Sequence, residues 1–160
     1  MPPEAPWIAV VGAGRASADE LAAAEEVGAG IAAASAVLIC GGLGGVMEAA
    51  CRGARSRGGL TVGLLPGVDR EEANGWVVVA LPTGLGEARN ALVVRAADAV
   101  VAIGGGWGTL SEIALALKAG IPVVGVGTWE VARDGTPVEG VLAAPDPRVA
   151  VAEALRLCGR

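Results

Sequence analysis

The chain has 160 residues, of which 53% are hydrophobic and 26 are glycine, and its formal net charge at neutral pH is −5. This length predicts a single domain over residues 1–160, and the acidic balance together with the absence of Phe and Tyr argues against nucleic acid or an anionic membrane as a partner. Because the chain contains no histidine, Ser-His-Asp machinery, histidine bases and histidine metal ligands are excluded, and we predict no metal site.

The N-terminus and the cysteines indicate the compartment. The stretch Met1–Pro6 lacks a basic segment followed by an apolar one, so we expect a cytoplasmic protein rather than an exported one. No run of about 20 apolar residues is free of glycine and charge, so no membrane span is expected. Cys40, Cys51 and Cys158 form no C-x-x-C pair, and we interpret them as small buried hydrophobic residues.

The predicted elements begin with a buried strand over Trp7–Val11, a glycine turn over Gly12–Ser17 and a long Ala-rich helix. Ser17 and Glu20 have the spacing of a capping box at the start of this helix. The order strand, glycine turn, helix is typical of a dinucleotide site. However, Ser17 replaces the third glycine, and the next strand, Ala36–Cys40, is not followed by the acidic residue that binds a ribose. An NAD site therefore remains an alternative only.

A second glycine-rich turn, Gly41–Gly45, opens a helix over Val46–Ser56. Two such turns at the carboxyl ends of parallel strands lie at one edge of the sheet, so their helix N-termini are expected to face one crevice. The elements that follow are a strand over Leu60–Leu65, an exposed charged loop over Val68–Gly75, a strand over Trp76–Ala80 and a helix over Glu87–Ala97. This helix carries three apolar residues in succession, Leu92 to Val94, so apolar side chains point to more than one side of it and must be buried on two sides. We therefore predict a homodimer contact through this helix or through the next one.

The third glycine-rich turn, Gly104–Gly108, lies between a buried strand over Asp98–Ile103 and a helix over Thr109–Ala119. Ligands bind at such turns in open parallel sheets, and the N–H groups that open the helix favour an anion. Successive glycines also let the backbone approach a ligand closely. Thr109 and Glu112 have the spacing of a capping box, which would satisfy the same N–H groups without any ligand. Both interpretations stay open.

The remaining elements complete the alternating pattern. They are a strand over Val123–Val126, a turn over Asp134–Pro137, a short strand over Val138–Leu142 and a closing helix over Pro147–Leu157. Because strands and helices alternate, we predict an α/β fold. It is a single-domain Rossmann-like three-layer sandwich with a mostly parallel sheet of about six or seven strands.

Three charged side chains bear on the chemistry. Arg89 lies in the first turn of the helix over Glu87–Ala97, where the helix dipole disfavours a cation unless an anion is close; alternatively it pairs with Glu87 on the surface. Glu112 opens the next helix, so Arg89 and Glu112 are expected at the same edge of the sheet. Lys118, the only lysine, lies near the end of its helix, where a solvated charge explains it better than a pyridoxal-phosphate Schiff base does.

Two motifs and one arginine resemble a known family. Gly104–Glu112 matches the pattern P-G-G-x-G-T-x-x-E except that Gly104 stands in place of the proline, and Gly41–Met47 matches G-G-x-x-G-x-M. Arg89 precedes Glu112 by the spacing expected of the family's arginine and glutamate. The chain is therefore similar to the LONELY GUY (LOG) superfamily, formerly misannotated as lysine decarboxylases, which includes the molybdenum-cofactor carrier proteins.

This resemblance implies a Rossmann-like, usually dimeric protein whose glycine turns hold the phosphate and ribose of a nucleotide-like ligand. Hydrolytic members cleave a nucleoside 5′-monophosphate to free base and ribose 5-phosphate. There, Arg89 would fix the substrate and Glu112 would stabilise the oxocarbenium-like state, with no cofactor or metal required for the chemistry. The ligand-binding positions carried over are Gly12, Gly14, Gly41, Gly42, Gly45, Met47, Asn90, Gly104, Gly105, Gly106, Gly108 and Thr109.

Two departures from the family pattern favour binding over hydrolysis. Asn90 follows the arginine where the hydrolases have lysine, and Gly104 replaces the proline. Losing the lysine removes a positive charge from a site meant for an anion. We therefore expect first a binding or carrier protein for a nucleotide monophosphate or a molybdenum cofactor, second a phosphoribohydrolase, and third a dehydrogenase-like user of NAD.

Overall fold

The structure is a computed structural model that describes residues 5–159, so the start of the stretch used in the export argument lies outside it. Its strands are β1 (Trp7–Gly12), β2 (Val37–Cys40), β3 (Thr61–Leu65), β4 (Val79–Pro82), β5 (Ala99–Ile103), β6 (Val123–Val126), β7 (Ala132–Arg133), β8 (Thr136–Pro137) and β9 (Val141–Ala143). Its α-helices are α1 (Ala18–Ala33), α2 (Val46–Ser56), α3 (Asn90–Arg95), α4 (Trp107–Lys118) and α5 (Pro147–Leu157).

Seven strands form one parallel sheet in the order β4-β3-β2-β1-β5-β6-β9, and β7 and β8 form a separate antiparallel hairpin. The chain starts in the middle of the sheet at β1, builds outwards to β4, and then crosses back to place β5 on the other side of β1. Ligand crevices in open α/β sheets form at this kind of reversal in strand order. The predicted fold class is confirmed, and the predicted turn over Asp134–Pro137 is found in the hairpin.

Helices cover both faces of the sheet because the side chains of each strand alternate between them. Ile8 and Val10 of β1 pack with buried residues of α1, α2 and α5. Ala9 and Val11 pack on the other face, with buried residues of α3 and α4. The carboxyl end of β1 is thus fixed between two packed helical layers. None of the helices within residues 5–159 is long and apolar enough to cross a bilayer.

Helices α1 and α2 approach each other through two glycines. A Cβ atom at Gly28 of α1 would collide with the carbonyl oxygen of Ala50, and a Cβ atom at Gly53 of α2 would collide with that of Glu25. Both obstacles are backbone atoms, which cannot turn aside as a flexible side chain can. The two helices therefore sit at a separation that only glycine permits.

Replacing Gly53 with alanine is expected to lower the free energy of unfolding by about 1–3 kcal/mol, the usual cost of overpacking a core. Alanine gains up to about 1 kcal/mol in helix propensity, so the sign of the effect shows whether the contact between the helices dominates. Urea denaturation measures it. The matched control is Gly75→Ala, where a Cβ atom meets nothing within 4 Å and the change is expected to stay within about 0.5 kcal/mol. A Gly53→Ala protein more stable than the wild type would contradict the close contact.

The predicted start of the fourth strand, at Trp76, is wrong, because β4 begins at Val79. The Thr61 hydroxyl explains the difference: it donates to the Trp76 carbonyl at 2.7 Å and accepts from the Val78 N–H at 2.9 Å. This side chain holds the incoming segment beside β3, and the regular ladder starts only where Val62 pairs with Val79. The predicted short strand is likewise shifted, since β9 occupies Val141–Ala143.

The single helix predicted over Glu87–Ala97 is also wrong. The segment is a 3₁₀ turn over Gly86–Arg89 followed by the short helix α3. The Gly86 N–H donates to the Pro66 carbonyl at 2.9 Å, which ties the start of the segment to the loop after β3 and opposes a regular helix there. In α3, Val93 and Val94 are buried, whereas Leu92 is 41% exposed. The homodimer contact on this side therefore stays a prediction.

Candidate functional site

A cavity of about 300 Å³ opens at the carboxyl ends of β1, β2 and β5. Ten of the residues carried over from the family resemblance line it: Gly12, Gly14, Gly41, Met47, Arg89, Asn90, Gly106, Gly108, Thr109 and Glu112. They come from four separate segments of the chain. The turns after β1, β2 and β5 thus share one hollow, as the sequence predicted for glycine turns at the carboxyl ends of parallel strands.

The helices that begin at the cavity have no side-chain caps. Helix α2 begins after Gly45 and α4 begins after Gly106, and no side chain caps either N-terminus. In contrast, α1 is capped by Ser17 and α5 by Asp146. Since uncapped N-terminal N–H groups carry partial positive charge, the wall of this cavity favours an anion.

The predicted capping box at Thr109 and Glu112 is wrong. Helix α4 begins two residues earlier than expected, at Trp107, so Thr109 lies inside the first turn rather than at the cap. Glu112 therefore falls in the second turn, where it lines the cavity and is only 8% exposed. The capping box predicted for α1 is confirmed, with the Ser17 N–H donating to Glu20 at 2.8 Å and the Glu20 N–H donating to the Ser17 hydroxyl at 3.2 Å.

Arg89 is a buried cation with an unused donor. The residue is 8% exposed; its Nη1 donates to the Asn90 side-chain oxygen and its Nη2 to the Gly41 carbonyl at 3.3 Å. Its Nε is buried and has no hydrogen-bond partner among the residues that the structure describes. The alternative of a surface ion pair with Glu87 is wrong, because the guanidinium is buried. Burial lowers the pKa of Arg89, although the nearby Glu112 opposes that effect.

Glu112 faces the same cavity without forming a close ion pair with Arg89. The ion pairs within 4.0 Å between described residues are Arg52–Glu25 and Arg156–Glu153. Burial raises the pKa of Glu112 to about 7, against the smaller opposing effect of Arg89. A carboxyl group with a pKa in this range can exchange a proton near neutral pH, which suits a general acid or base. A positive and an ionisable group thus line one hollow without neutralising each other directly.

Four of the carried-over glycines, namely Gly42, Gly45, Gly104 and Gly105, lie in the turns but outside the lining of this cavity. Gly104 explains the departure from the family pattern. Its φ is +50°, and a Cβ atom there would collide with the Glu20 carboxylate that caps α1. Proline cannot adopt a positive φ, so this turn requires glycine at the position of the usual proline.

Two contacts near the site are not evident from the sequence. Trp107, at the start of α4, packs against Trp129, with ring centroids 5.2 Å apart. Cys40, at the end of β2, lies 3.6 Å from Cys51 of α2, sulfur to sulfur, and both are buried as expected. Trp129 lies between the predicted strand over Val123–Val126 and the predicted turn over Asp134–Pro137, where the sequence predicts no element, so no periodicity places it. Lys118 is exposed in the last turn of α4, where it was expected.

Comparison with known proteins agrees with the motifs. A profile of the SLOG cluster4 family matches residues 5–151. An uncharacterised protein of Archaeoglobus fulgidus is 47% identical over 113 residues, which are 71% of this chain and 74% of that protein.

Two solved structures share the fold over almost their whole length. The molybdenum cofactor binding protein of Rippkaea orientalis matches with a TM-score of 0.86 and 34% identity, over 96% of this chain and 97% of that one. The molybdenum cofactor carrier protein of Chlamydomonas reinhardtii matches with a TM-score of 0.84 and 35% identity, over 98% and 100%. The resemblance drawn from the glycine motifs and Arg89 is confirmed, and the chain belongs to the SLOG cluster4 family.

Proposed function

We propose that this protein binds a phosphorylated pterin- or nucleotide-type ligand, such as a molybdenum cofactor, and carries it rather than transforms it. The observation that carries this proposal is the buried Arg89 guanidinium, which belongs to a residue that lines the cavity together with the starts of the uncapped helices α2 and α4. A buried cation of this kind is costly without an anionic partner. A phosphate in the cavity would supply the anion and accept a charge-assisted hydrogen bond from the guanidinium.

The relatives support the same class of ligand. The Rippkaea protein is described as a molybdenum cofactor binding protein and the Chlamydomonas protein as a molybdenum cofactor carrier protein. Asn90 accepts from Arg89 and adds no positive charge to the cavity. This supports holding a ligand rather than driving its cleavage, because a hydrolase gains from extra positive charge on the phosphate it must fix.

Co-purification followed by mass spectrometry tests the proposal directly. Protein purified without added ligand and then denatured is expected to release a phosphorylated pterin or nucleotide. In parallel, thermal-shift titration with AMP, ribose 5-phosphate and molybdopterin is expected to raise the melting temperature, since a ligand at 100 times its Kd stabilises by about 2.7 kcal/mol. NAD serves as the comparison. The absence both of a released ligand and of any shift with these phosphates would overturn the proposal.

A phosphoribohydrolase is the second candidate, and Glu112 favours it. Its carboxyl group is buried in the cavity with a pKa of about 7, and such a group can orient water and stabilise an oxocarbenium-like state. Incubation with AMP and related nucleoside monophosphates should then release free base, and Glu112→Ala should abolish the release. Ligand binding without any release of base by the wild type would leave the carrier as the function.

We also propose that two copies associate through the face formed by β4 and α3. Val79 is 39% exposed, Leu81 45% and Leu92 41%, and an edge strand with apolar side chains is rarely left open to solvent. Light scattering on the purified protein is expected to give twice the mass of one chain. Leu92→Glu should reduce that mass to a single chain, and an unchanged mass would place the contact elsewhere.

A further inference from the structure

The two tryptophans at the third glycine turn form an ordered aromatic platform. The platform consists of Trp107 and Trp129, whose rings are tilted by 35° with centroids 5.2 Å apart. The Trp129 indole N–H donates to the Gly106 carbonyl at 3.1 Å, and its ring packs partly against the core on the α3 and α4 side of the sheet. Trp129 is thus anchored, whereas Trp107 rests on it and is 78% exposed.

The exposure of Trp107 is unusual for its residue type. Exposing a large apolar ring costs free energy in proportion to its area, and α4 would fold equally well with a polar residue at its first position. The chain has only four aromatic residues, all tryptophan, and two of them meet at this one turn. A packed and exposed aromatic pair beside a ligand cavity is a typical recognition feature.

Trp107 lies between two glycines that line the cavity. Gly106 and Gly108, on either side of it, both line the cavity, and a Cβ atom at either would meet nothing within 4 Å. The backbone on either side of Trp107 is therefore unobstructed. Thr109, which faces the cavity, is two residues further along the helix, and two residues correspond to about half a helical turn. The platform and the cavity thus lie on opposite flanks of the first turn of α4.

We propose that the platform stacks against the planar heteroaromatic ring of the ligand whose phosphate lies in the cavity. This inference rests on the proposed function and narrows it to one ligand class: phosphate monoesters that carry a flat fused ring. The ligand must extend across the N-terminal end of α4, from a phosphate in the cavity to a ring on the platform. That distance is about 10 Å, the diameter of the helix. A mononucleotide or a phosphorylated pterin is long enough for that span, and a bare sugar phosphate is not.

Isothermal titration of the wild type and of Trp107→Leu with AMP, GMP and ribose 5-phosphate tests the platform. Stacking of a base on an aromatic side chain is worth about 1–3 kcal/mol, so the variant is expected to bind AMP and GMP at least about fivefold more weakly. Its affinity for ribose 5-phosphate should stay unchanged, because that ligand has no ring. Trp76→Leu, at a tryptophan that is 42% exposed outside this turn, is the matched control and should behave as the wild type.

The outcomes distinguish a failure of the stacking platform from a failure of phosphate binding in the cavity. If the wild type binds all three ligands and Trp107→Leu weakens none of them selectively, the platform is wrong while the proposed function stands. If the variant weakens ribose 5-phosphate as much as AMP, Trp107 acts on the turn rather than on a ring, and the inference is again wrong. If the wild type binds none of the three phosphates, the platform is wrong for nucleotides; if in addition no ligand co-purifies and molybdopterin gives no thermal shift, the proposed function fails with it. Circular dichroism of both variants confirms that they fold.

Discussion

Arg89→Met is expected to abolish detectable binding of AMP and of ribose 5-phosphate while leaving the fold as stable as the wild type, or more stable by about 1–2 kcal/mol. Two opposite effects underlie this result. Arg89 is 8% exposed, and among the described residues its Nε has no partner and it forms no close ion pair; a buried charge without a counter-charge is costly, and an apolar side chain of similar length avoids that cost. Each charged hydrogen bond lost to the ligand costs about 1.5–3 kcal/mol.

Isothermal titration measures the binding, and urea denaturation of the ligand-free protein measures the stability. Arg95→Met is the matched control, since Arg95 is exposed in the last turn of α3, the short helix that directly follows Arg89. That control should change neither the affinity nor, beyond about 0.5 kcal/mol, the stability. If Arg89→Met gains stability and loses binding, the guanidinium contributes to ligand binding at the expense of stability. An Arg89→Met protein that binds phosphates normally, or that unfolds easily, would show that the guanidinium serves the fold.

Glu112→Gln is expected to change how stability depends on pH. Burial raises the pKa of Glu112 from its ordinary 4.5 to about 7 in the folded protein, so the folded state holds a proton that the unfolded state has released. Stability contributed by this group is therefore full below pH 4.5, falls as the pH rises, and is lost above pH 7. At 1.36 kcal/mol per pKa unit, the wild type should lose about 3 kcal/mol across that window relative to Glu112→Gln.

The measurement is urea denaturation of both proteins at intervals from pH 4.5 to pH 8, without ligand. Glu26→Gln is the control, because Glu26 is exposed on α1. The same pair of proteins tests the site: an anion in the cavity favours the protonated carboxyl, so the affinity of the wild type for AMP should fall as the pH rises through 7. Glu112→Gln should lack this part of the pH dependence. Parallel pH profiles for Glu112→Gln and the wild type would mean that Glu112 titrates as an exposed carboxyl does.

Local sequence patterns were sufficient for the strands and helices whose periodicity and caps are strong. Helix α1 could be placed because Ser17 and Glu20 satisfy the N-terminal N–H groups by themselves, and β5 because a β-branched run is buried on both faces. The helix predicted over the segment around Arg89 was wrong for the converse reason. A helical pattern of apolar residues does not reveal that the segment is tied to the loop after β3 through Pro66, which produces a 3₁₀ turn before α3.

The candidate site shows the same contrast between what local sequence patterns determine and what tertiary packing determines. The sequence by itself determined the residue types that meet at the sheet edge, because parallel strands bring their carboxyl ends together and the glycine turns follow those strands. Only the tertiary structure decided how deeply those residues are buried and which hydrogen bonds they form. Burial depends on every packed neighbour. Packing gave Glu112, expected as a cap, a pKa of about 7, and it left the buried Arg89 Nε without a hydrogen-bond partner among residues 5–159.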